Sequence, residues 1–316
     1  MNLTRNVTLD KQNCFFLEDL QSAGSLKIVY TVNCILNSIF AIPAVVCNAL
    51  VIYAIWKKKT LHRPASLLLC NLALSDLAVG LIAQPSYIVY KVADMHQVFS
   101  VYCVFGMISE TFGFLLICVS FITVVFISLE RYCALCFHLK YHSIVTNSRT
   151  LAAISLLWLA SIFYPISRTL SDVFSRYIMV SLFCVSLCLL SFVYWKMFRI
   201  VKKHKMQIRA HSIVSSPAER IDGQTLSRKA MLQNRRSTST MSLLTAAILL
   251  CYCPHLCVFA VRVITGLTTS TKAAITSTIS ILFISSSINP VLYITRIRAV
   301  RMALYEVIGK ANTAEK

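Results

Sequence analysis

Residues 113–132 read GFLLICVSFITVVFISLERY, an apolar run that closes on an acid and a base. No residue from Thr111 to Leu129 carries a charge. About 20 consecutive apolar residues are enough for a helix to cross the hydrocarbon core of a bilayer. The run therefore predicts a membrane-spanning helix, with Glu130 and Arg131 at its boundary with water.

The same pattern recurs along the chain. Of the 316 residues, 57% are hydrophobic and 14% are charged, whereas a soluble domain carries about 25% charged residues. The apolar material lies in long runs and not in short alternating strands, which predicts an all-α fold, a seven-transmembrane helix bundle. The seven runs cover residues 28–56, 65–90, 98–129, 151–166, 174–198, 243–261 and 273–294.

Lysine and arginine are distributed unequally between the two sides of this predicted bundle. On the side that holds the C-terminus lie 23 of the 31 basic residues. Cytoplasmic loops of membrane proteins carry such an excess. We therefore predict an extracellular N-terminus and a cytoplasmic C-terminus. Anionic lipid headgroups then account for the net charge of +19, and nucleic acid is not a predicted partner.

The extracellular segment, residues 1–27, carries two kinds of modification signal. Asn2 and Asn6 each begin an Asn-x-Thr sequence, the acceptor pattern for N-glycosylation. Cys14 and Cys103 are the two cysteines that we place on the external side. Sequence spacing does not fix cysteine connectivity, so a bridge between them and two separate thiols both remain open.

The predicted bundle, residues 28–294, includes a long third cytoplasmic loop at 199–242. The tail, 295–316, begins with apolar residues at helical spacing among arginines, which predicts either an amphipathic helix on the inner membrane surface or a frayed end. Just before the sixth run, the hydroxyl residues that follow two arginines form either a kinase site or a solvated polar turn. Its candidate phosphorylation sites are Ser237, Thr238 and Ser239.

Polar residues in the middle of the runs are costly, which makes them functional candidates. Asp76 lies about 20 Å of helix beyond the start of its run, near the membrane centre. Ser120, Ser286 and Asn289 fall at similar depths and supply oxygen atoms suited to a hard cation such as sodium. Two interpretations remain: a site for a cation such as sodium or for a proton, shared with other helices, or a protonated or hydrogen-bonded structural carboxyl group.

Glu130-Arg131-Tyr132 closes the third run at its cytoplasmic end. An adjacent acid and arginine can pair there, or the cluster can simply stop membrane transfer. Pro254 and Pro290 each remove a backbone hydrogen bond and promote a kink in the sixth and seventh helices. A kinked helix can swing one half without the other, which suits a protein that changes shape across a membrane.

Taken together and in order, these features resemble the rhodopsin-like (class A) G-protein-coupled receptors. The resemblance covers about residues 28–308, and six patterns in register support it. They are Asn48 after Cys47, Leu72-Ala73-Leu74-Ser75-Asp76-Leu77, Glu130-Arg131-Tyr132, Trp158, Cys251-Tyr252-Cys253-Pro254 and Asn289-Pro290-Val291-Leu292-Tyr293.

The resemblance implies a mechanism. A ligand bound from outside favours a state in which the cytoplasmic half of helix six moves outward. Arg131 then leaves Glu130 and contacts the α subunit of a heterotrimeric G protein, while Tyr194 and Tyr293 turn inward. The resemblance further implies a plasma-membrane location, arrestin and a receptor kinase as partners, and a sodium ion at Asp76 that favours the inactive state.

The chain also departs from the family pattern. Gly106 stands where the usual helix-three cysteine would be, the short loop at 167–173 has no cysteine, and Ser186 replaces a proline. These departures resemble the melanocortin, cannabinoid and lysophospholipid branch, whereas residues 193–198 resemble adenosine receptors. Tyr252 replaces a tryptophan that acts as a toggle in the family.

The expected ligand is a lipid, a peptide or a nucleoside. Gly113 replaces the aspartate of amine receptors, and Phe283 replaces the retinal-binding lysine of opsins, so neither a monoamine nor retinal is expected. Glu110 is either a ligand contact or a partner of Lys91. The candidate pocket residues are Glu110, Gly113, Lys91, His255 and Arg262.

Two other classes of protein remain as alternatives. One is a receptor-like protein that no longer signals and serves as a partner of other proteins. The other is a transporter or channel with Asp76 on an ion path, although no inverted repeat is evident. No nucleophile, metal or phosphate-binding constellation points to an enzyme.

Overall fold

A computed structural model of the chain describes residues 14, 17, 24–58, 63–137, 140–214, 249–266, 268–296, 301, 302, 305 and 306. Across these residues the fold is helical, with six helices long and apolar enough to cross a membrane and a shorter apolar helix as the seventh. We call them spans one to seven. Their bounds are Gly24–Lys57, Pro64–His96, Phe99–Cys136, Asn147–Leu170, Asp172–Val214, Leu249–Thr265 and Thr269–Arg296.

Spans four and five meet more closely than the sequence predicted. The fourth helix continues to Leu170 and the fifth begins at Asp172, so Ser171 alone separates them. The prediction of a loop at 167–173 was therefore wrong, because most of these residues are helical. Polar residues lowered the hydropathy of this stretch, but Arg168 finds an ionic partner inside the bundle and the helix can continue.

The bundle exposes apolar side chains and buries a hydrophobic core that also contains polar residues. Large hydrophobic side chains such as Ile28, Leu170 and Ile264 are about four-fifths exposed, as expected where lipid and not water covers the surface. The interior contains fully buried amides, among them Asn37 and Gln84. Interior polar groups of this kind link helices by hydrogen bonds where lipid offers no partner.

Span two contains a local irregularity that brings it close to span one. A five-residue π-helical turn, Val79–Ala83, precedes Pro85, which has no backbone N–H to donate. Within that turn, a Cβ added at Gly80 would lie 2.9 Å from Val45 Cγ2 and 3.2 Å from the Ala41 carbonyl oxygen. Glycine at this position therefore permits the close approach of the two helices.

The chain before span one also packs on the bundle. Cys14 is buried, and Leu17 belongs to the main hydrophobic core. Asn2 and Asn6 lie outside the described residues. The extracellular segment is therefore not wholly separate from the bundle, although sequence analysis placed the boundary at residue 28.

Only part of the predicted tail helix falls within the described residues. Residues 301, 302, 305 and 306 are helical. Glu306 Oε2 lies 2.5 Å from Lys58 Nζ at the C-terminal end of span one. Arg301 donates a hydrogen bond to the Thr295 carbonyl at 3.1 Å. These contacts hold the described part of the tail beside the bundle.

Candidate functional site

Asp76 occupies the centre of the bundle and joins three spans. Its side chain is fully buried. One carboxylate oxygen accepts a hydrogen bond from the Ser120 hydroxyl at 3.2 Å, and the other accepts from Asn289 Nδ2 at 2.8 Å. The structure thus brings Asp76, Ser120 and Asn289 together as the sequence pattern predicted.

Ser286 lies in the same region, and its side chain is a further hydrogen-bond partner of Asp76. Its carbonyl accepts a hydrogen bond from Asn48 Nδ2 at 3.1 Å. The amide oxygen of Asn48 is buried and has no hydrogen-bond partner among the described residues. A buried oxygen without a donor is chemically suited to a hard cation.

A second chain of hydrogen bonds holds spans two, three and four together. Trp158 Nε1 donates to Asn71 Oδ1 at 2.9 Å, and Asn71 Nδ2 donates to the Thr123 hydroxyl at 2.8 Å. The Thr123 hydroxyl in turn donates to the Val119 carbonyl. Trp158 is thereby fixed as a structural contact of the bundle.

At the C-terminal end of span three, Glu130 pairs with Arg131. Arg131 Nε lies 3.1 Å from Glu130 Oε2. The other oxygen of Glu130 accepts a hydrogen bond from the hydroxyl of Tyr141, in a one-turn helix between spans three and four. Burial, followed by this hydrogen bond, raises the pKa of Tyr141. Tyr141 therefore remains a protonated donor at neutral pH.

The remaining predicted switch residues lie around this end of the bundle. The Tyr194 hydroxyl lies 3.1 Å from the hydroxyl of Ser128, one turn above Arg131. Pro290 is buried within span seven, and Tyr132 is half-buried in span three. The side chain of Tyr293 lies outside the described residues, as do Ser237, Thr238 and Ser239.

Tyr252 fills the centre of an aromatic cluster between spans three, five and six. Its ring lies 4.9 Å from that of Phe121 and 6.2 Å from that of Phe183, measured between centroids. Its hydroxyl donates to the Ile117 carbonyl at 3.2 Å. Pro254, two residues further, faces outward. The phenol thus adds a hydrogen bond to span three at the position of the family's tryptophan.

The opposite end of the bundle contains a charged cavity of about 50 Å³. Glu110, Lys91, His255 and Arg262 all line it, as do Arg168 and Lys272. Arg168 Nη1 lies 2.6 Å from Glu110 Oε2. Lys91 Nζ lies over the ring of Tyr90, 4.2 Å from its centroid. The partner that the structure gives Glu110 is thus Arg168.

Gly113 is covered by the ring of Phe283. A Cβ at position 113 would lie 3.0 Å from Phe283 Cζ and 3.3 Å from its Cε1. Phe283 is buried and packs edge-on against Tyr87, with centroids 5.6 Å apart. Phe283 therefore occupies the space that a side chain at position 113 would need.

A disulfide joins Cys14 to Cys103. Cys103 lies in the first turns of span three and not in a loop. Three residues beyond Cys14, Leu17 reaches the cavity and lies against Gly106, where an added Cβ would approach Leu17 Cδ1 to 2.5 Å. The bridge thus holds Cys14 close to the part of the cavity that Leu17 lines.

Sequence reasoning missed several of these residues. Tyr141 gave no signal, because one tyrosine in a short loop is common. Arg168 was assigned to a loop. Gln84 is buried in span two and donates to Asn37 Oδ1 at 3.3 Å. The sequence could have indicated an interior position for it, since an amide within an apolar run is costly in hydrocarbon.

Comparison with known proteins places this geometry among receptors. The family described as 7 transmembrane receptor (rhodopsin family) matches residues 47–173 and 162–293. Trace amine-associated receptor 7c of Rattus norvegicus is 28% identical, covering 89% of this chain and 88% of that receptor. Histamine H2 receptor of Rattus norvegicus is 22% identical, covering 90% and 80%. Cannabinoid receptor 2 of Rattus norvegicus is 25% identical, covering 81% and 72%.

The disulfide predicts a labelling pattern. We expect a membrane-impermeant maleimide, added to intact cells, to label the Cys103→Ser variant and to leave the parent chain unlabelled. The substitution frees the Cys14 thiol at the external end, whereas the eleven other cysteines lie within the helices. The double variant Cys14→Ser/Cys103→Ser is the control and should remain unlabelled. Labelling of the parent chain would contradict both the bridge and the placement of these residues.

Proposed function

Because this chain belongs to the rhodopsin family of seven-transmembrane receptors, we propose that it carries an extracellular ligand signal across the plasma membrane to a heterotrimeric G protein. The chain is a multi-pass membrane protein of a G-protein-coupled receptor family. In the proposed orientation the cavity at Glu110 opens outside, and Arg131 faces the cytoplasm. The excess of basic residues on the Arg131 side supports this orientation.

The ion pair between Glu130 and Arg131 is the observation on which this proposal rests. A guanidinium held by a buried acid, itself held by Tyr141, is a contact that can be broken and remade at the cytoplasmic surface. In the proposed active state, span six moves outward at its cytoplasmic half, near Pro254. Arg131 then leaves Glu130 and contacts the α subunit of the G protein.

The ligand acts through its different affinities for the two states. A ligand that binds both states equally shifts nothing, however tightly it binds. In this scheme Tyr252 transmits the change, because its ring contacts Phe121 of span three and Phe183 of span five. Tyr194 and Tyr293 turn inward in the active state. Arrestin and a receptor kinase are proposed as further partners, with Ser237, Thr238 and Ser239 as substrates of the kinase.

A sodium ion at Asp76 is part of the proposal as an allosteric ligand of the inactive state. Asp76, Ser120 and Asn289 would hold it, together with an oxygen of Ser286. The full burial of Asp76 and the unpartnered amide oxygen of Asn48 support the fit. When bound, the ion would supply a positive charge to the carboxylate in the bundle centre.

Arg131→Ala should abolish G-protein activation, because position 131 then has no guanidinium to contact the α subunit. We expect nucleotide exchange in membranes to fall at least about 10-fold, within the usual range of coupling energies. Surface expression should remain largely unchanged. Lys57→Ala, which removes another cytoplasmic cation near Tyr53, is the matched control. Nucleotide exchange that continues in Arg131→Ala would contradict the role of Arg131 in G-protein contact. A parent chain that reaches the surface without activating any G protein would favour the alternative of a receptor-like protein that no longer signals.

Tyr141→Phe should raise basal signalling. The variant keeps the ring and loses the hydroxyl that holds Glu130, so the inactive state loses a hydrogen bond to a charged group. A loss of about 1 kcal/mol corresponds to a roughly fivefold rise in the active fraction when that state is rare. Ligand-independent nucleotide exchange measures it, with Tyr177→Phe, an exposed tyrosine of span five, as control. An unchanged basal rate in Tyr141→Phe would show that the hydroxyl does not stabilise the inactive state.

Asp76→Asn should remove any effect of sodium on G-protein activation. The neutral amide keeps the size of the side chain and loses the charge that attracts the cation. Basal nucleotide exchange at constant ionic strength, with sodium replaced by N-methylglucamine, measures the effect. The parent chain should be less active in sodium. If Asp76→Asn keeps the same sodium dependence, the cation binds elsewhere.

A further inference from the structure

A single turn of helix, Tyr141–Ile144, stands between spans three and four, and we call it the Tyr141 helix. Its backbone hydrogen bonds include one from Ile144 N to the Lys140 carbonyl at 3.1 Å and one from Val145 N to the Tyr141 carbonyl at 2.8 Å. An isolated helix shorter than about 12 residues is marginal in water even for sequences that favour helices. The Tyr141 helix therefore depends on contacts from outside its own backbone.

Arg149 provides such a contact at the end of this helix. Its Nη1 donates hydrogen bonds to the carbonyl oxygens of Ser143 and Ile144, at 2.9 Å each. The last carbonyl groups of a helix have no donor within the helix, and a cation at that end interacts favourably with the helix dipole. Arg149 thus caps the Tyr141 helix at its C-terminal end.

The position of Arg149 in span four is unfavourable by itself. It is the third residue of that helix, which begins at Asn147, and no acidic residue lies in the first turn. The N-terminus of a helix is the positive end of its dipole, so a cation there costs free energy. The Thr146 hydroxyl accepts a hydrogen bond from the Arg149 backbone N–H at 3.3 Å, which needs no arginine side chain. The contact of the guanidinium with the Tyr141 helix offsets the cost.

The Tyr141 helix in turn reaches the ion pair at the end of span three. The Tyr141 hydroxyl donates to one oxygen of Glu130, and the other oxygen lies 3.1 Å from Arg131 Nε. Tyr141 is half-buried, whereas Arg149 is exposed. A continuous series of contacts therefore connects the exposed guanidinium of Arg149 to the ion pair through the Tyr141 helix.

From these contacts we propose that Arg149 is a positioning residue for the ion pair between Glu130 and Arg131. It fixes the Tyr141 helix, and that helix holds the Tyr141 hydroxyl against Glu130 in the inactive state. Position 149 lies outside the six patterns shared with the receptor family, so the sequence resemblance assigns it no role. This inference rests on the proposed function, because it assumes that the ion pair holds the inactive state.

Arg149→Ala should raise ligand-independent nucleotide exchange roughly fivefold, the same rise as in Tyr141→Phe, because both variants free Glu130 from the hydroxyl. The alanine variant keeps the backbone N–H that donates to Thr146. Arg149→Lys retains a cationic donor and should return the rate towards that of the parent chain. Arg63→Ala removes another exposed arginine on the same side of the bundle, at the start of span two, and should match the parent chain.

The double variant Arg149→Ala/Tyr141→Phe distinguishes positioning from a general loss of stability. If Arg149 acts through the Tyr141 hydroxyl, its removal has no further effect once the hydroxyl is gone. The double variant should then match Tyr141→Phe within roughly twofold, whereas two independent effects would multiply to roughly 25-fold. A rise of that larger size would contradict the proposal.

Amide hydrogen exchange of the purified full chain in lipid nanodiscs tests the structural step without a G protein. Arg149→Ala should speed exchange of the Ile144 and Val145 amides by at least about fivefold, and Arg149→Lys should restore it. The Thr150 amide donates to the Thr146 carbonyl at 3.0 Å in span four, and its exchange should remain as in the parent chain. Faster exchange there as well would assign the effect to span four and contradict the proposal.

Unchanged exchange of the Ile144 and Val145 amides in Arg149→Ala would overturn the proposal, whatever the rate of nucleotide exchange. Faster amide exchange with an unchanged rate of nucleotide exchange, in a chain that activates a G protein, would also overturn it. Faster amide exchange in a chain of which no variant activates a G protein would support the placement of Tyr141 by Arg149 and contradict the proposed function.

Discussion

The arrangement of the bundle depends on one carboxylate buried at its centre. Asp76 has no access to water, and lipid offers no donor, so its two oxygens must be satisfied by neighbouring helices. Ser120 of span three and Asn289 of span seven provide those donors. This requirement fixes the relative depth and rotation of spans two, three and seven, since shifting one of these helices by one residue would turn Ser120 or Asn289 away from the carboxylate. Apolar packing alone gives no such register, because a hydrocarbon side chain loses little by facing lipid.

Span three connects this centre to both ends of the molecule. Its N-terminal half carries Cys103 and Glu110, and its C-terminal end carries Glu130 and Arg131. Cys103, Glu110 and Glu130 are fixed by Cys14, by span four and by the short helix that contains Tyr141, and Glu130 in turn pairs with Arg131. Span three therefore carries contacts with other elements near both of its ends. The signalling role proposed above would require two distant sites of this kind to share one equilibrium.

The external end differs from the pattern of the family in a consistent way. The connection between spans four and five is reduced to Ser171, which leaves no loop to cover the bundle there. Cys14, held by the bridge to Cys103, and Leu17, which lies against Gly106, contact the bundle from another side. A cysteine side chain at Gly106 would require Leu17 and the ring of Tyr90 to shift.

The sequence by itself determined the number of helices, their approximate positions and the motifs at Asp76, Glu130-Arg131 and Asn289. It is costly to expose a long apolar run to water or a polar residue to lipid. Both features therefore indicate the helices and their motifs from the sequence alone. Only the tertiary structure decided the partners of Glu130 and Glu110, since Tyr141 and Arg168 are ordinary residues until folding brings them to a buried acid. The end of span four was likewise misjudged, because an arginine inside a helix bundle is acceptable only when a carboxylate on another helix meets it.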